Sequence, residues 1–144
     1  MATYNKINDW AVNSEKTANI GTDTFVVALS NTAPGSEPTP PTGDGQGVLA
    51  NVTQISYTNC SSRTLTTASS GQTSGTLTLD FNDLTLTASG GTVGPLRYVY
   101  VYDDTPTSPA DPLVCYFDYG SSITLADGET LTITFNASGL YTKA

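Results

Sequence analysis

The chain has 144 residues, a length typical of one domain, and it is acidic, with 13 Asp and Glu against five Lys and Arg and a net charge of −8. A phosphate-binding surface needs clustered cations. The cations here are scattered, at Lys6, Lys16, Arg63, Arg97 and Lys143. The composition therefore argues against nucleic acid as a direct partner.

The sequence also gives no sign of membrane association. No apolar run approaches the roughly 20 residues needed to cross a bilayer, and the first residues lack the charged and apolar regions of a signal peptide. We therefore expect no membrane partner and folding in a cytoplasm, where thiols stay reduced. Cys60 and Cys115 are accordingly expected to be free, with a disulfide between them as the alternative.

Residues 1–22 differ in pattern from the rest and predict a short N-terminal arm, helical or partly extended. Apolar and small side chains recur there at spacings of three and four, which is typical of one helix face: Tyr4, Ile7, Trp10, Ala11 and Ser14. Two interpretations stay open. Trp10 fills the end of the protein's own core, or the arm reaches a neighbouring subunit and Tyr4, Ile7 and Trp10 contact a partner.

Residues 23–144 predict an all-β domain, a two-sheet antiparallel β-sandwich. Short strand signals recur between turn residues: Thr24–Asn31, Val48–Tyr57, Arg63–Thr67, Thr76–Phe81, Leu84–Ala88, Leu96–Tyr102, Val114–Tyr119 and Thr130–Phe135. About eight strands favour a jelly-roll-like arrangement over an immunoglobulin-like one. The Pro/Gly-rich loop at 32–47 is predicted to be exposed and mobile, and residues 35–45 dispensable for folding.

Alternation along the strands predicts which side chains face the interior: Leu77, Leu79, Leu86, Val99, Val101, Ile133 and Phe135. The strand at Leu96–Tyr102 carries bulk on both faces, because Tyr98, Tyr100 and Tyr102 point away from its valines. It is therefore a central strand with a covered outer face, or a strand at a subunit contact. In the second case the three tyrosines bind a partner.

Catalytic machinery is not visible in the sequence, so we predict that the protein is not an enzyme and has no cofactor or metal. There is no histidine, which removes the commonest general base and metal ligand. Paired carboxylates can hydrolyse glycosides or hold calcium, but Asp is also a favoured turn residue. We interpret all of these as turn residues: Asp80, Asp83, Asp103, Asp104, Asp111 and Asp118.

Several stretches carry a resemblance that spans nearly the whole chain, above all TVGPLRYVYVYDDTPTSPADPL at 92–113, with GTDTFVVALSNTAP at 21–34 and ISYTNCSSRTLTT at 55–67. Together they resemble a family of small structural proteins of tailed bacteriophages. The family supplies no catalytic residues. Compared with it, this chain has a less regular arm and a longer Pro/Gly insertion at 32–47.

The resemblance implies a virion protein assembled in the bacterial cytoplasm. The leading hypothesis is a capsid decoration, or cement, protein that binds the major capsid protein as a homotrimer, because three-fold capsid sites favour trimers. The alternative is a tail or fibre component that binds a host-surface carbohydrate through tyrosines, including Tyr116 and Tyr119. A binding domain unrelated to virions is the third possibility.

Overall fold

The computed structural model describes residues 2–144, which form mainly antiparallel strands. Ten strands and one α-helix lie in that range. The strands are β1 (Thr3–Lys6), β2 (Phe25–Ser30), β3 (Thr67–Ser69), β4 (Gln72–Thr73), β5 (Thr76–Phe81), β6 (Leu84–Thr87), β7 (Val93–Asp103), β8 (Leu113–Leu125), β9 (Thr130–Ile133) and β10 (Tyr141–Lys143). The helix α1 spans Trp10–Lys16, and 3₁₀ turns lie at Pro34–Ser36 and Leu49–Asn51.

The strands form two layers, which confirms the predicted all-β sandwich. The front sheet has the order β1-β8-β7-β2. The second layer consists of β10-β5-β3, with β4 also paired to β5, and the separate pair β6-β9. All of these pairings are antiparallel. The jelly-roll connectivity stays a prediction.

The sandwich core lies between the two layers and follows the predicted alternation. Phe25, Val27 and Leu29 of β2 and Val99 and Val101 of β7 point into it from the front sheet. The second layer contributes a set of large apolar side chains: Leu79, Phe81, Leu86 and Phe135. Of the seven predicted core residues, all are buried except Leu77 and Ile133, which are half-buried.

A second apolar cluster lies on the opposite face of the front sheet. Tyr98, Tyr100 and Tyr102 of β7 belong to it, together with Val26 and Ala28 of β2. Further members come from other parts of the chain: Ile7, Val52 and Leu113. β7 pairs with β8 on one side and β2 on the other, so the interpretation as a central strand with a covered outer face is confirmed.

Residues 31–53, which we call the cover segment, cover part of this tyrosine face through Ala33, Leu49 and Val52. The predicted strand Val48–Tyr57 is wrong, because this stretch forms a 3₁₀ turn and irregular backbone. Its N–H groups form no regular ladder: for example, that of Val52 bonds to the nearby Leu49 carbonyl at 2.9 Å and that of Ile55 to the Leu29 carbonyl of β2 at 3.0 Å. The strand predicted at Arg63–Thr67 is likewise mostly irregular.

The Pro/Gly-rich loop at 32–47 is exposed over most of its length, as predicted, but a few of its residues are buried, Glu37 among them. That the loop is mobile and that residues 35–45 are dispensable for folding stay predictions. Glu37 is 5% exposed, and its two carboxylate oxygens accept the Thr53 N–H at 2.8 Å and the Thr53 hydroxyl at 2.7 Å. The Asp9 carboxylate accepts the N–H groups of Gly45 at 2.9 Å and Gly47 at 2.8 Å. These bonds anchor a segment that has few apolar residues of its own.

Candidate functional site

The N-terminal arm is part of the core. β1 pairs with β8, from Thr3 opposite Asp118 to Lys6 opposite Cys115. The predicted helix is therefore present only as α1, and Tyr4 lies on a strand. Ile7 and Trp10 are fully buried. The Trp10 ring packs edge-on against Phe25 at 6.3 Å and Tyr141 at 6.0 Å between centroids.

Ile7 and Trp10 therefore offer no surface to a partner in this fold. The structure matches the alternative in which Trp10 fills the protein's own core. Tyr4 differs, since it is 43% exposed and its ring contacts Phe117 at 5.6 Å. Partial burial raises the pKa of Tyr4 to about 12, so its hydroxyl is neutral at any physiological pH.

The three tyrosines of β7 are packing residues. Tyr98 and Tyr102 are each 6% exposed, and Tyr100 is fully buried. The rings of Tyr98 and Tyr100 both contact Tyr116, at 6.4 and 5.4 Å between centroids. Burial raises the pKa of Tyr100 and of Tyr102. Their rings are covered in this fold, whereas Tyr119, which the carbohydrate-binding alternative also named, is exposed.

Exposed apolar side chains lie at one edge of the sandwich. Two adjoining depressions, of about 300 and 460 Å³, lie between β1–β8 of the front sheet and the segment from β9 to residue 140. Both are lined by Ala2, Phe117 and Thr134. We call this surface the edge groove, and Leu131, Ile133 and Leu140 are among its other apolar residues.

Two features make the edge groove a candidate contact surface. Tyr4 and Tyr119, which is 45% exposed, border it, and they are two of the three large exposed hydrophobic residues in the described range. β1 and β9 each pair with a single strand within residues 2–144. Each therefore has an edge whose backbone groups are free to bond to another chain.

The electrostatics of the edge groove are neutral, since no charged residue lines it. The nearby Arg97 guanidinium is bound by both Asp118 oxygens, at 2.8 and 3.0 Å, and this bond lowers the pKa of Asp118. Two other cations are also engaged within the chain. Lys143 pairs with Glu15, and the Arg63 guanidinium lies 3.6 Å from the Tyr57 ring centroid.

The acidic side chains singled out in the sequence are spread over the molecule and mostly cap backbone groups. Asp80 accepts the N–H of Phe81 and Asp83 that of Phe135, at 2.9 and 3.0 Å. Within residues 2–144 no group of three or more His, Cys, Asp and Glu is arranged to hold a metal. Cys60 and Cys115 are not joined, and burial raises the pKa of both thiols.

Comparison with known proteins gives no relative. No protein-family model, no curated protein and no solved structure matches the chain significantly. The one α-helix in the described part of the chain has seven residues, and none there is long and apolar enough to span a bilayer.

Sequence reasoning missed the edge groove, although it named Tyr4 and Tyr119 for other reasons. Phe117 alternates with Tyr116 and Asp118 like any interior strand residue. Phe117 lines a groove because of the path that residues 134–140 take, and no local sequence pattern indicates that path. The only available signal was the tyrosine at the end of a predicted strand.

Proposed function

We propose that the protein is a structural virion protein of a tailed bacteriophage, a capsid decoration protein that binds the major capsid protein and stabilises the shell. The sequence resemblance motivates the virion role. The observation that carries the proposal is the edge groove, a neutral apolar surface on a sandwich whose front sheet is covered on both faces. Exposed contiguous apolar surface is typical of protein contacts.

The proposed mode of binding is docking of a capsid segment along the groove. Tyr4 and Tyr119 supply aromatic contact area at its rim, and tyrosine is enriched at binding hot spots. The free edges of β1 and β9 supply backbone donors and acceptors for an extended chain. Many copies on a repeated lattice gain avidity, so each contact can be modest.

Copy number tests the location. Mass spectrometry with densitometry on purified particles, with heads separated from tails, should give hundreds of copies in the heads. A few to a few dozen copies in the tails would contradict the capsid role and support the tail or fibre alternative. Light scattering on the purified protein tests the proposed homotrimer.

A matched pair of variants tests the surface. Tyr119→Ser should weaken binding to particles that lack their own copy by at least about tenfold, the scale of one interface hot spot. Val12→Ser is the control, because Val12 is 54% exposed on α1 and does not line the edge groove. Equal binding by both variants would place the contact elsewhere on the molecule.

A further inference from the structure

A bulge of several residues interrupts the pairing of β7 with β8 beside the edge groove. Leu96 of β7 lies opposite Ile123 of β8, and Tyr98 lies opposite Asp118. Between these two pairs β7 has one residue and β8 has four, residues 119–122, which we call the β8 bulge. All four are exposed. Bulges bend a strand and re-aim a side chain, and they are frequent beside functional sites.

Hydrogen bonds hold the β8 bulge at both ends. At its start, the Asp118 carboxylate accepts two bonds from the Arg97 guanidinium, at 2.8 and 3.0 Å, and one from the Gly120 N–H at 2.8 Å. At its end, the Ser122 hydroxyl donates to the side-chain oxygen of Asn31 at 2.6 Å. The bulge is therefore fastened to β7 and to the residue that follows β2.

The backbone of the β8 bulge also favours a glycine. Gly120 has a φ of +95°, a conformation that residues with a Cβ adopt only at a cost. A Cβ added at this position meets no atom within 4 Å, so the backbone conformation, and not a lack of space, favours glycine. Because Gly120 directly follows Tyr119, this conformation fixes the path of the chain at the tyrosine.

Tyr119 is the side chain that the β8 bulge presents. It is exposed and lines the edge groove together with Leu96 and Phe117. Its two neighbours along the chain, Asp118 and Gly120, are the residues that the hydrogen bonds hold in place. A side chain whose backbone is fixed before binding loses less conformational entropy when a partner binds.

We propose that Arg97 and Asp118 are positioning residues, whose ion pair holds the β8 bulge in the conformation that presents Tyr119 to a partner in the edge groove. This role rests on the proposed contact through that groove. Neither residue lines the groove, so the pair acts through the backbone at Gly120. The pair is partly exposed, and such pairs add little to the free energy of unfolding. Its effect should therefore appear in partner binding.

Binding of the purified whole protein to particles that lack their own copy tests the pair. Arg97→Gln should weaken binding by roughly three- to tenfold, the scale of ordering one interface side chain. The unfolding midpoint should change by no more than a few degrees. The matched control is Lys143→Gln, which removes one cation from another exposed ion pair, with Glu15, outside the groove lining. It should bind like the wild type.

A double variant separates positioning from a general loss of structure. If Arg97 acts only through Tyr119, Arg97→Gln combined with Tyr119→Ser should bind no more weakly than Tyr119→Ser alone. Independent effects would instead multiply in the dissociation constant. Multiplied effects would overturn the positioning role, because they would show that Arg97 acts apart from the tyrosine.

Gly120→Ala provides a second test, in which no charge changes. It strains the backbone beside Tyr119 and should weaken binding by a factor similar to that of Arg97→Gln. Gly128→Ala is the control for the strain itself. Gly128 has a φ of +87° and open space where a Cβ would lie, and it does not line the edge groove.

Two further results would overturn the positioning role, and they differ in what they mean for the proposed function. In the first, Tyr119→Ser weakens binding but Arg97→Gln and Gly120→Ala bind like the wild type. The contact through the groove then stands, and the bulge does not position the tyrosine. In the second, Tyr119→Ser itself binds like the wild type, so the contact through the groove is absent and both proposals fail.

Discussion

The two faces of the front sheet are covered in different ways. One face packs against a second layer of regular strands, through side chains such as Leu79 and Leu86. The other carries Tyr98, Tyr100 and Tyr102 and lies under the cover segment, which is irregular and rich in proline and glycine. Water is excluded from both faces. One face is covered by strands whose alternating apolar side chains point inward, and the other by an irregular segment that hydrogen bonds to a few carboxylates hold in place.

The difference shows how a chain with few apolar residues in a loop can still bury a sheet. Glu37 and Asp9 bind backbone N–H groups and a hydroxyl at the two ends of the loop. Bonds to charged acceptors are stronger than neutral ones. The tyrosines below supply the apolar area, so the loop needs only to exclude water from them.

The largest expected effect comes from removing residues 1–16, because this segment serves both faces. Ile7 belongs to the tyrosine-face cluster and Trp10 to the sandwich core. Without them we expect no cooperative unfolding transition by circular dichroism. Trp10→Ala alone should cost about 3–5 kcal/mol. A soluble truncated domain that unfolds cooperatively would show that the two faces do not depend on this segment.

The sandwich face is tested by Leu79→Ala, which should lower the free energy of unfolding by about 2–5 kcal/mol through lost burial and a cavity. Leu79 is fully buried between the layers. The matched control on the same strand is Leu77→Ala, which should cost less than half as much because Leu77 is half-buried. Urea denaturation measures both losses of stability. Equal losses would show that the two positions do not differ in burial as the structure indicates.

The cover is tested by Glu37→Ala, with an expected loss of about 2 kcal/mol in urea denaturation. The change leaves the Thr53 N–H and hydroxyl without their acceptors and loosens the cover over Tyr100. Asp44→Ala is the control, because Asp44 is exposed in the same segment. If the two variants lose the same stability, the anchoring carboxylate contributes nothing specific to this face.

The last expected effect is a dependence of stability on pH. The pKa of Asp103 is about 7 in the folded protein, because burial and then the Asp23 contact raise it from its ordinary value of 3.8. The folded chain therefore holds more protons than the unfolded chain between pH 4 and pH 7. Its contribution to stability is fully present below about pH 4 and is lost as the pH rises through 7.

The thermal midpoint should accordingly fall by a few degrees from pH 5 to pH 8. In Asp103→Asn this part of the fall should disappear, since the amide does not titrate. An unchanged pH profile in that variant would show that other groups cause the dependence.

Sequence patterns predicted the parts of the fold in which alternation decides burial. β2, β5, β6, β7 and β9 lie within three residues of their predicted bounds, whereas β8 continues to Leu125 beyond the predicted end at Tyr119. Leu79, Leu86, Val99 and Val101 are in the core as expected. In a strand with one buried and one solvent-exposed face, apolar and polar residues alternate along the chain, so the sequence shows which side chains are buried. Tyr98, Tyr100 and Tyr102 were equally visible as a bulky face, although the sequence left open what covered them.

Only the tertiary structure decided what covers the tyrosines, where Trp10 lies and where the apolar surface remains exposed. The Pro/Gly pattern at 32–47 indicated a loop, and the same pattern describes a mobile loop and an anchored one. The difference rests on Glu37 meeting Thr53 and on Asp9 meeting Gly45 and Gly47. Those contacts join residues 16 to 38 positions apart, so no local period or propensity records them.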